Sequence, residues 1–199
     1  MKRRALIACV CLSLLCSCSV TDKLTVFHDR LLNETAMQRY LGNYTLRAFD
    51  GKPAEGRFTI EPRGGRYFAN LEMIDTDGKK ETWQGFILLS HIPRAVGFNI
   101  GDTRITFNMN QSTILLSSPK MTLSRSGSDD SEHENVVALI REVHGKLHIW
   151  LVYSEAPVAK GRLKSDRGVV KSEDMKAFLA EHADAYTQAN EPFFVFTRR

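Results

Sequence analysis

Apolar and polar residues alternate along most of the chain after Gly42, and this alternation predicts β-strands. The clearest example runs from 104 to 109, where Ile105, Phe107 and Met109 alternate with polar side chains. A period of two places such apolar residues on one face of a strand. The same pattern predicts further strands at 43–49, 58–61, 66–74, 82–90, 95–100, 112–117, 135–143 and 146–153.

Short pairs that accept a positive φ separate these segments. The pairs are Asp50-Gly51, Gly64-Gly65, Asp77-Gly78, Gly101-Asp102 and His144-Gly145. Pairs of this kind form tight hairpins, and successive hairpins predict an antiparallel meander. The stretch 117–134 is rich in Ser, Asp and Glu, so we expect a long surface loop there.

One amphipathic helix is predicted, from Glu173 to about Thr187, with its apolar residues on one face. Ser172 is the expected N-cap, and the acidic first turn suits a helix start. The predicted strand 82–90 is apolar on both faces, so this helix is expected to cover the outer face of the sheet. A short helical turn at 35–41 and a last strand at 193–197 complete the pattern.

The chain begins with a basic tip at 2–4 and an apolar run at 5–15 that is too short to span a bilayer. These features predict a secretory signal peptide. The run ends in Leu15-Cys16-Ser17-Cys18, which resembles the lipobox of bacterial lipoproteins. That resemblance implies cleavage before Cys18 and acylation of its thiol, for example with palmitate. It divides the chain into a leader (1–17), a lipidated tether (18–34) and a single β-rich domain (35–199).

Removing the leader changes the charge and the cysteine count. All four cysteines lie in the first 18 residues, so the β-rich domain has no disulfide, cysteine nucleophile or thiolate zinc site. The leader holds three of the 27 basic residues and none of the 23 acidic ones, so the rest of the chain is nearly balanced in charge. It contains no long stripe of basic residues, and nucleic-acid binding is therefore not predicted. Ser19 follows the cysteine where Asp would favour inner-membrane retention in enterobacterial lipoproteins. The resemblance therefore implies an outer-membrane anchor facing the periplasm, with the inner membrane as the alternative.

The order of predicted elements resembles that of a lipocalin: a short N-terminal turn, about eight antiparallel strands, a helix and a final strand. Gly42-Asn43-Tyr44 resembles the Gly-any-Trp motif of that family, with Tyr in place of Trp. The family's later Thr-Asp motif has no counterpart. We therefore expect a mainly β fold, an antiparallel meander or lipocalin-like barrel of about 8–10 strands with one C-terminal helix packed on it. No ligand-binding residue carries over from the resemblance.

Two histidines lie four residues apart, at His144 and His148, with Glu142 nearby. On a helix this spacing would suit a metal site. The expected hairpin turn at 144–145 separates them, so we favour structural or exposed histidines. The segment 75–78 resembles the start of a calcium loop, but Phe86 stands where the bidentate Glu would be.

His28-Asp29 could supply a base and the residue that orients it. A triad also needs a fixed nucleophile, and the chain has no Gly-any-Ser-any-Gly elbow. No catalytic residue, metal or cofactor is predicted.

Basic and aromatic residues leave two interpretations open. Arg57, Arg63 and Arg66 cluster near one hairpin, and Arg198-Arg199 end the sequence. They could contact acidic lipid or lipopolysaccharide, or discourage strand addition at sheet edges, and we favour the second role. The main aromatic residues are expected in the core or around a barrel cavity; they are Trp83, Phe86, Phe107, Trp150, Phe193 and Phe194.

These patterns favour a non-catalytic, lipid-anchored binding or envelope-maintenance module that faces the periplasm. Its expected partners are the membrane, through acylated Cys18, and an apolar small molecule or an envelope protein. The first alternative is an interaction subunit that docks by a sheet face or edge. The second is a hydrolase with a site around His28, Asp29 or His148.

Overall fold

The computed structural model describes residues 20–21, 27–74, 78–100, 103–125, 131–166 and 169–199. Its strands are β1 (Val20–Thr21), β2 (Gly42–Phe49), β3 (Lys52–Arg63), β4 (Arg66–Ile74), β5 (Lys80–Ile100), β6 (Thr103–Arg125), β7 (Ser131–Val143), β8 (Lys146–Leu151), β9 (Ser165–Asp166), β10 (Val169–Val170) and β11 (Phe194–Arg198). The helices are α1 (Glu34–Met37) and α2 (Ser172–Ala189), and a 3-10 turn lies at His28–Arg30.

Eight strands close into an antiparallel barrel in the order β11-β2-β3-β4-β5-β6-β7-β8. The final strand β11 pairs with β8 on one side and β2 on the other, which completes the barrel. The short strands β1, β10 and β9 form a separate small sheet. This architecture confirms the predicted mainly β, lipocalin-like barrel with one C-terminal helix.

The predicted hairpin turns are confirmed where the structure describes them. Asp50 and Gly51 have φ of 48° and 69°, and His144 and Gly145 have φ of 51° and 71°. Two successive positive φ angles match the twist of the flanking strands. The pair at 101–102 and residues 75–77 lie outside the described ranges.

The predicted loop at 117–134 is wrong, because strands occupy most of it. β6 continues to Arg125 and β7 begins at Ser131, with Met121 opposite Glu134. Met121 is buried in the barrel, so apolar residues spaced along a polar stretch were enough to keep β6 in the sheet. At the helix, Lys171 rather than Ser172 is the N-cap, and Ser172 is the first helical residue.

The buried side chains form two layers. One fills the barrel and includes Ile60, Leu71 and Phe196; the other lies between the outer face of the sheet and α2. In the outer layer, Trp150 of β8 packs in one cluster with Leu179 of α2. The helix therefore covers an apolar outer face, as expected, although it leaves Phe86 37% exposed.

A segment before β2 closes one end of the barrel. Leu31 bridges to Ser90, and the Leu32 backbone N–H donates to the Leu89 carbonyl at 3.0 Å. Leu32, Met37 and Tyr40 are all buried in the inner layer. Part of the stretch expected as tether thus contributes to the core.

The β5–β6 hairpin extends past its neighbours. Pairing with β4 ends at Tyr67↔Ile87 and pairing with β7 ends at Ile114↔Ile140, but β5 and β6 stay paired to Ile100↔Thr103. We call this extension, residues 92–100 and 103–111, the β5–β6 arm. No helix in the described ranges is long and apolar enough to cross a membrane.

Candidate functional site

The barrel interior is almost filled by side chains. Its cavity has a volume of about 40 Å³ and is lined by apolar residues that include Leu71, Trp83 and Phe194. Small-molecule sites are larger, roughly 300–1,000 Å³. The interior as it stands therefore has no room for a lipid-sized ligand.

A larger cleft, of about 430 Å³, lies at the closed end of the barrel. It opens where β6 and β7 separate beyond Ile114↔Ile140, and the segment with α1 lies over it. We call it the mouth cleft. Its lining residues are Leu32, Ala36, Arg39, Tyr40, His91, Gln111, Ser112, Ile114, Arg141 and Glu142.

The charged side chains that line the mouth cleft are two arginines and one glutamate, so they carry a net positive charge. Arg39 pairs with Glu142 at 3.5 Å, and both side chains are substantially exposed. Arg141 forms no ion pair with a described residue. Burial raises the pKa of Tyr40, so its hydroxyl stays protonated at neutral pH. The lining thus offers one unpaired guanidinium, one weak pair and a neutral phenol.

The wall of the mouth cleft also contains polar atoms without partners. Gln111 is 6% exposed, and its Nε2 donates to the carbonyls of Leu179 and Ala180 at 3.2 and 3.0 Å. Its Oε1 accepts no hydrogen bond from a described residue, and the same holds for His91 Nδ1. An unsatisfied buried polar atom costs about 1–3 kcal/mol. Both atoms are enclosed within the wall and do not open onto the cleft.

The structure places His144 and His148, which were considered as a metal pair and not favoured as one, in different surroundings. His144 lies in the β7–β8 turn, whereas the His148 ring lies on β8, 5.7 Å from the Trp150 ring. Burial, then the nearby Lys146 and His144, lower the pKa of His148, so its ring is neutral at pH 7. Within the described ranges, no three side chains of metal-binding type gather into a site.

His28 and Asp29, which the hydrolase alternative would use as a base and its orienter, lie on the exposed 3-10 turn. There Asp29 pairs with Arg30 at 3.7 Å. Among the described residues, neither forms a hydrogen bond with His148 or with a serine hydroxyl. Cys18 and residues 75–77 lie outside the described ranges.

The C-terminal arginines have structural partners. Arg198 donates to the Leu41 carbonyl at 2.6 Å and lies 5.9 Å above the Tyr44 ring. Arg199 donates to Thr45 Oγ1 at 2.9 Å. Both therefore fasten the end of β11 to the start of β2.

The arginine cluster divides between paired and unpaired parts of the β3–β4 hairpin. Arg57 lies between Thr45 of β2 and Glu72 of β4, so it has no free edge to protect and the role favoured from sequence is wrong for it. Arg63 and Arg66 lie past the last pairs with β2 (Gly42↔Ile60) and β5 (Tyr67↔Ile87). For these two residues edge protection stays a prediction.

The aromatic residues divide between the two layers and the surface. Trp83 and Phe194 face the barrel interior, with their rings 5.8 Å apart, and Phe193 packs beside them. Trp150 lies in the outer layer, where its Nε1 donates to the Asn190 carbonyl at 2.9 Å. The side chain of Phe107 lies outside the described set.

The residues of the mouth cleft carried no signal in the sequence. Gln111 reaches carbonyls 68 and 69 residues away, and Arg39 reaches Glu142 across 103 residues. Neither residue stands in a motif or in a periodic pattern of its own. Only the closure of the barrel brings them together.

Comparisons of this chain with protein-family models, curated proteins and solved structures find no match.

Proposed function

We propose that this protein is a non-catalytic binding module, anchored by acylated Cys18 to the outer membrane and facing the periplasm. The leader and lipobox pattern support the anchor. The mouth cleft supports binding, because it is the size of a small-molecule site and its lining combines apolar and charged side chains. This cleft is the single observation that carries the binding role.

The lining of the mouth cleft indicates an amphipathic ligand with an acidic group. Arg141 offers a guanidinium that pairs with no described residue, which favours a carboxylate or phosphate. Leu32 and Ile114 offer apolar surface for the rest of the molecule. The apolar ligand expected from sequence would have to use this cleft too, because the interior cavity is only about 40 Å³.

Native mass spectrometry of the gently extracted full protein tests this role. We expect a retained small molecule on the wild-type protein and its loss from Arg141→Gln. Arg162→Gln removes the same charge from an exposed site away from the cleft and should keep the ligand. A wild-type protein without added mass, whatever ligand pool is offered, would contradict the proposal.

An interaction subunit is the second candidate, and the β5–β6 arm favours it. Met109 and Ile105 on the arm are 56% and 37% exposed, and the arm's outer edges pair with no described strand. A photocrosslinker at Met109 should then trap one abundant envelope protein in cells. The same crosslinker at exposed Lys160 is the control; equal, scattered adducts at both positions would eliminate this candidate.

The anchor has its own test. Cys18→Ala removes the thiol that the acyl chain requires, so the variant should incorporate no radiolabelled palmitate and should keep its leader. Cys16→Ala leaves the proposed anchor intact and should be labelled like the wild type. Label in Cys18→Ala would show that the anchor lies elsewhere.

A further inference from the structure

Two arginines and two phenylalanines form a compact group on the outer surface of the barrel. Arg63 and Arg66 lie directly opposite each other on β3 and β4. The Arg63 guanidinium lies 3.8 Å from the centre of the Phe68 ring, and that of Arg66 lies 5.5 Å from the Phe86 ring. The two rings meet edge to face at 5.4 Å. We call these four residues the Arg–Phe patch.

The Arg–Phe patch places two like charges on an uncovered part of the barrel. Like charges directly opposite on neighbouring strands are destabilising. Arg63 has a counterion in Glu61, at 2.6 Å, but Arg66 forms no ion pair with a described residue. Helix α2 packs against β6, β7 and β8 and leaves Phe86 exposed. Both the charge and the Phe86 ring of the patch are therefore open to solvent.

The chemistry of the patch matches an anionic membrane surface. Guanidinium groups bind phosphates with paired hydrogen bonds, and they lose little hydration in doing so. Aromatic rings beside them suit the boundary between headgroups and acyl chains. Arg57, further along the outer face of β3, lies opposite Glu72 and therefore adds no net charge to this side.

We propose that the Arg–Phe patch docks the barrel on anionic phospholipid headgroups, with Arg63 and Arg66 on phosphates and Phe86 at the headgroup boundary. The proposal rests on the proposed lipid anchor, which would hold the domain beside a membrane. An anchor alone limits only the distance between the domain and the membrane, whereas this contact would fix which side of the barrel faces the lipid. The mouth cleft would then keep a defined orientation toward the periplasm.

Vesicle co-sedimentation tests the patch without the anchor. The protein is the mature chain from residue 18 with Cys18→Ser, made without its leader and therefore without an acyl group. It should bind phosphatidylglycerol-containing vesicles and not vesicles of phosphatidylcholine alone. Arg63→Gln/Arg66→Gln should weaken binding by about 25-fold, since each basic residue near an anionic surface contributes about fivefold. Phe86→Ala should weaken it less, at unchanged charge.

A matched control separates this site from general charge. Lys160→Gln/Lys164→Gln removes two exposed positive charges from the segment before α2 and should bind like the parent protein. Thermal unfolding of each variant checks that it is folded. Equal losses in both double variants, or equal binding to neutral vesicles, would overturn the proposal. Because this protein is unacylated, failure here leaves the anchor untouched, and failure to find acyl mass on Cys18 leaves this result standing.

Discussion

The absence of a side chain at Gly56 lets three strands approach closely. A Cβ placed there would lie 2.5 Å from the Glu72 carbonyl oxygen and 3.2 Å from the Met73 Cα. Both are backbone atoms of β4, so relief requires the strands to move apart. Gly56 pairs with Leu46 on β2 and with Met73 on β4, where the β2–β3 register shifts.

Gly56→Ala should therefore destabilise the barrel by about 1–3 kcal/mol, the usual cost of overpacking. Urea unfolding followed by tryptophan fluorescence measures the change. The neighbouring exposed substitution Glu55→Ala is the control and should stay within about 0.5 kcal/mol of the wild type. If Gly56→Ala unfolds at the same urea concentration as Glu55→Ala, β3 and β4 have room for a Cβ at Gly56, and the close approach is contradicted.

Residue-scale predictions succeeded where the constraint was local. Asp50-Gly51 and His144-Gly145 take positive φ because a two-residue hairpin requires it, and that requirement is visible in the sequence. Gly56 gave no such signal, because the atom that excludes a side chain there, the Glu72 carbonyl oxygen, belongs to a residue 16 positions further along the chain. The contact of Arg198 with Tyr44 joins residues near opposite ends of the domain, so no local pattern announced it.

The hydroxyl of Tyr186 fastens helix α2 to the barrel. It donates to the Leu151 carbonyl at 2.9 Å and accepts from the Tyr153 backbone N–H at 3.3 Å. Tyr186 is fully buried, so water cannot replace these bonds. Gln111 adds a hydrogen bond from the sheet to the helix backbone, and Trp150 adds one to the carbonyl of the C-cap residue Asn190.

Tyr186→Phe should cost about 1–3 kcal/mol, because the buried Leu151 carbonyl and the half-buried Tyr153 N–H lose a partner. Denaturant unfolding provides the measurement. Tyr67→Phe is the matched control, since the Tyr67 hydroxyl makes no hydrogen bond with a described residue. Equal stability of the two variants would mean that apolar packing alone holds the helix.

Elements were predicted best where a single period was unbroken. β4 runs from Arg66 to Ile74, as the alternation indicated. In β5 the alternation is interrupted around Pro93, so two strands were expected where one is found. The strand continues across Pro93 because the β5–β6 register shifts between His91 and Pro93. Pairing with β4 has already ended at Ile87, so the missing N–H of Pro93 breaks no hydrogen bond to β4.

At the scale of the whole molecule, the order of elements predicted the barrel but not whether the barrel is hollow or filled with side chains. Eight antiparallel strands can enclose a ligand or fill with side chains, and the choice depends on side-chain volumes that meet only after closure. Here Trp83, Phe194 and their neighbours leave about 40 Å³. The proposed binding role therefore depends on the mouth cleft, and the proposed membrane contact depends on the outer surface; both features exist only in the folded chain.

The position of β11 between β8 and β2 has a consequence for how the barrel closes. Residues 194–198 supply the strand that joins β8 to β2, so without them the sheet has two open edges and cannot complete the barrel. Strands far apart along the chain must therefore be brought together before the inner layer is sealed from water.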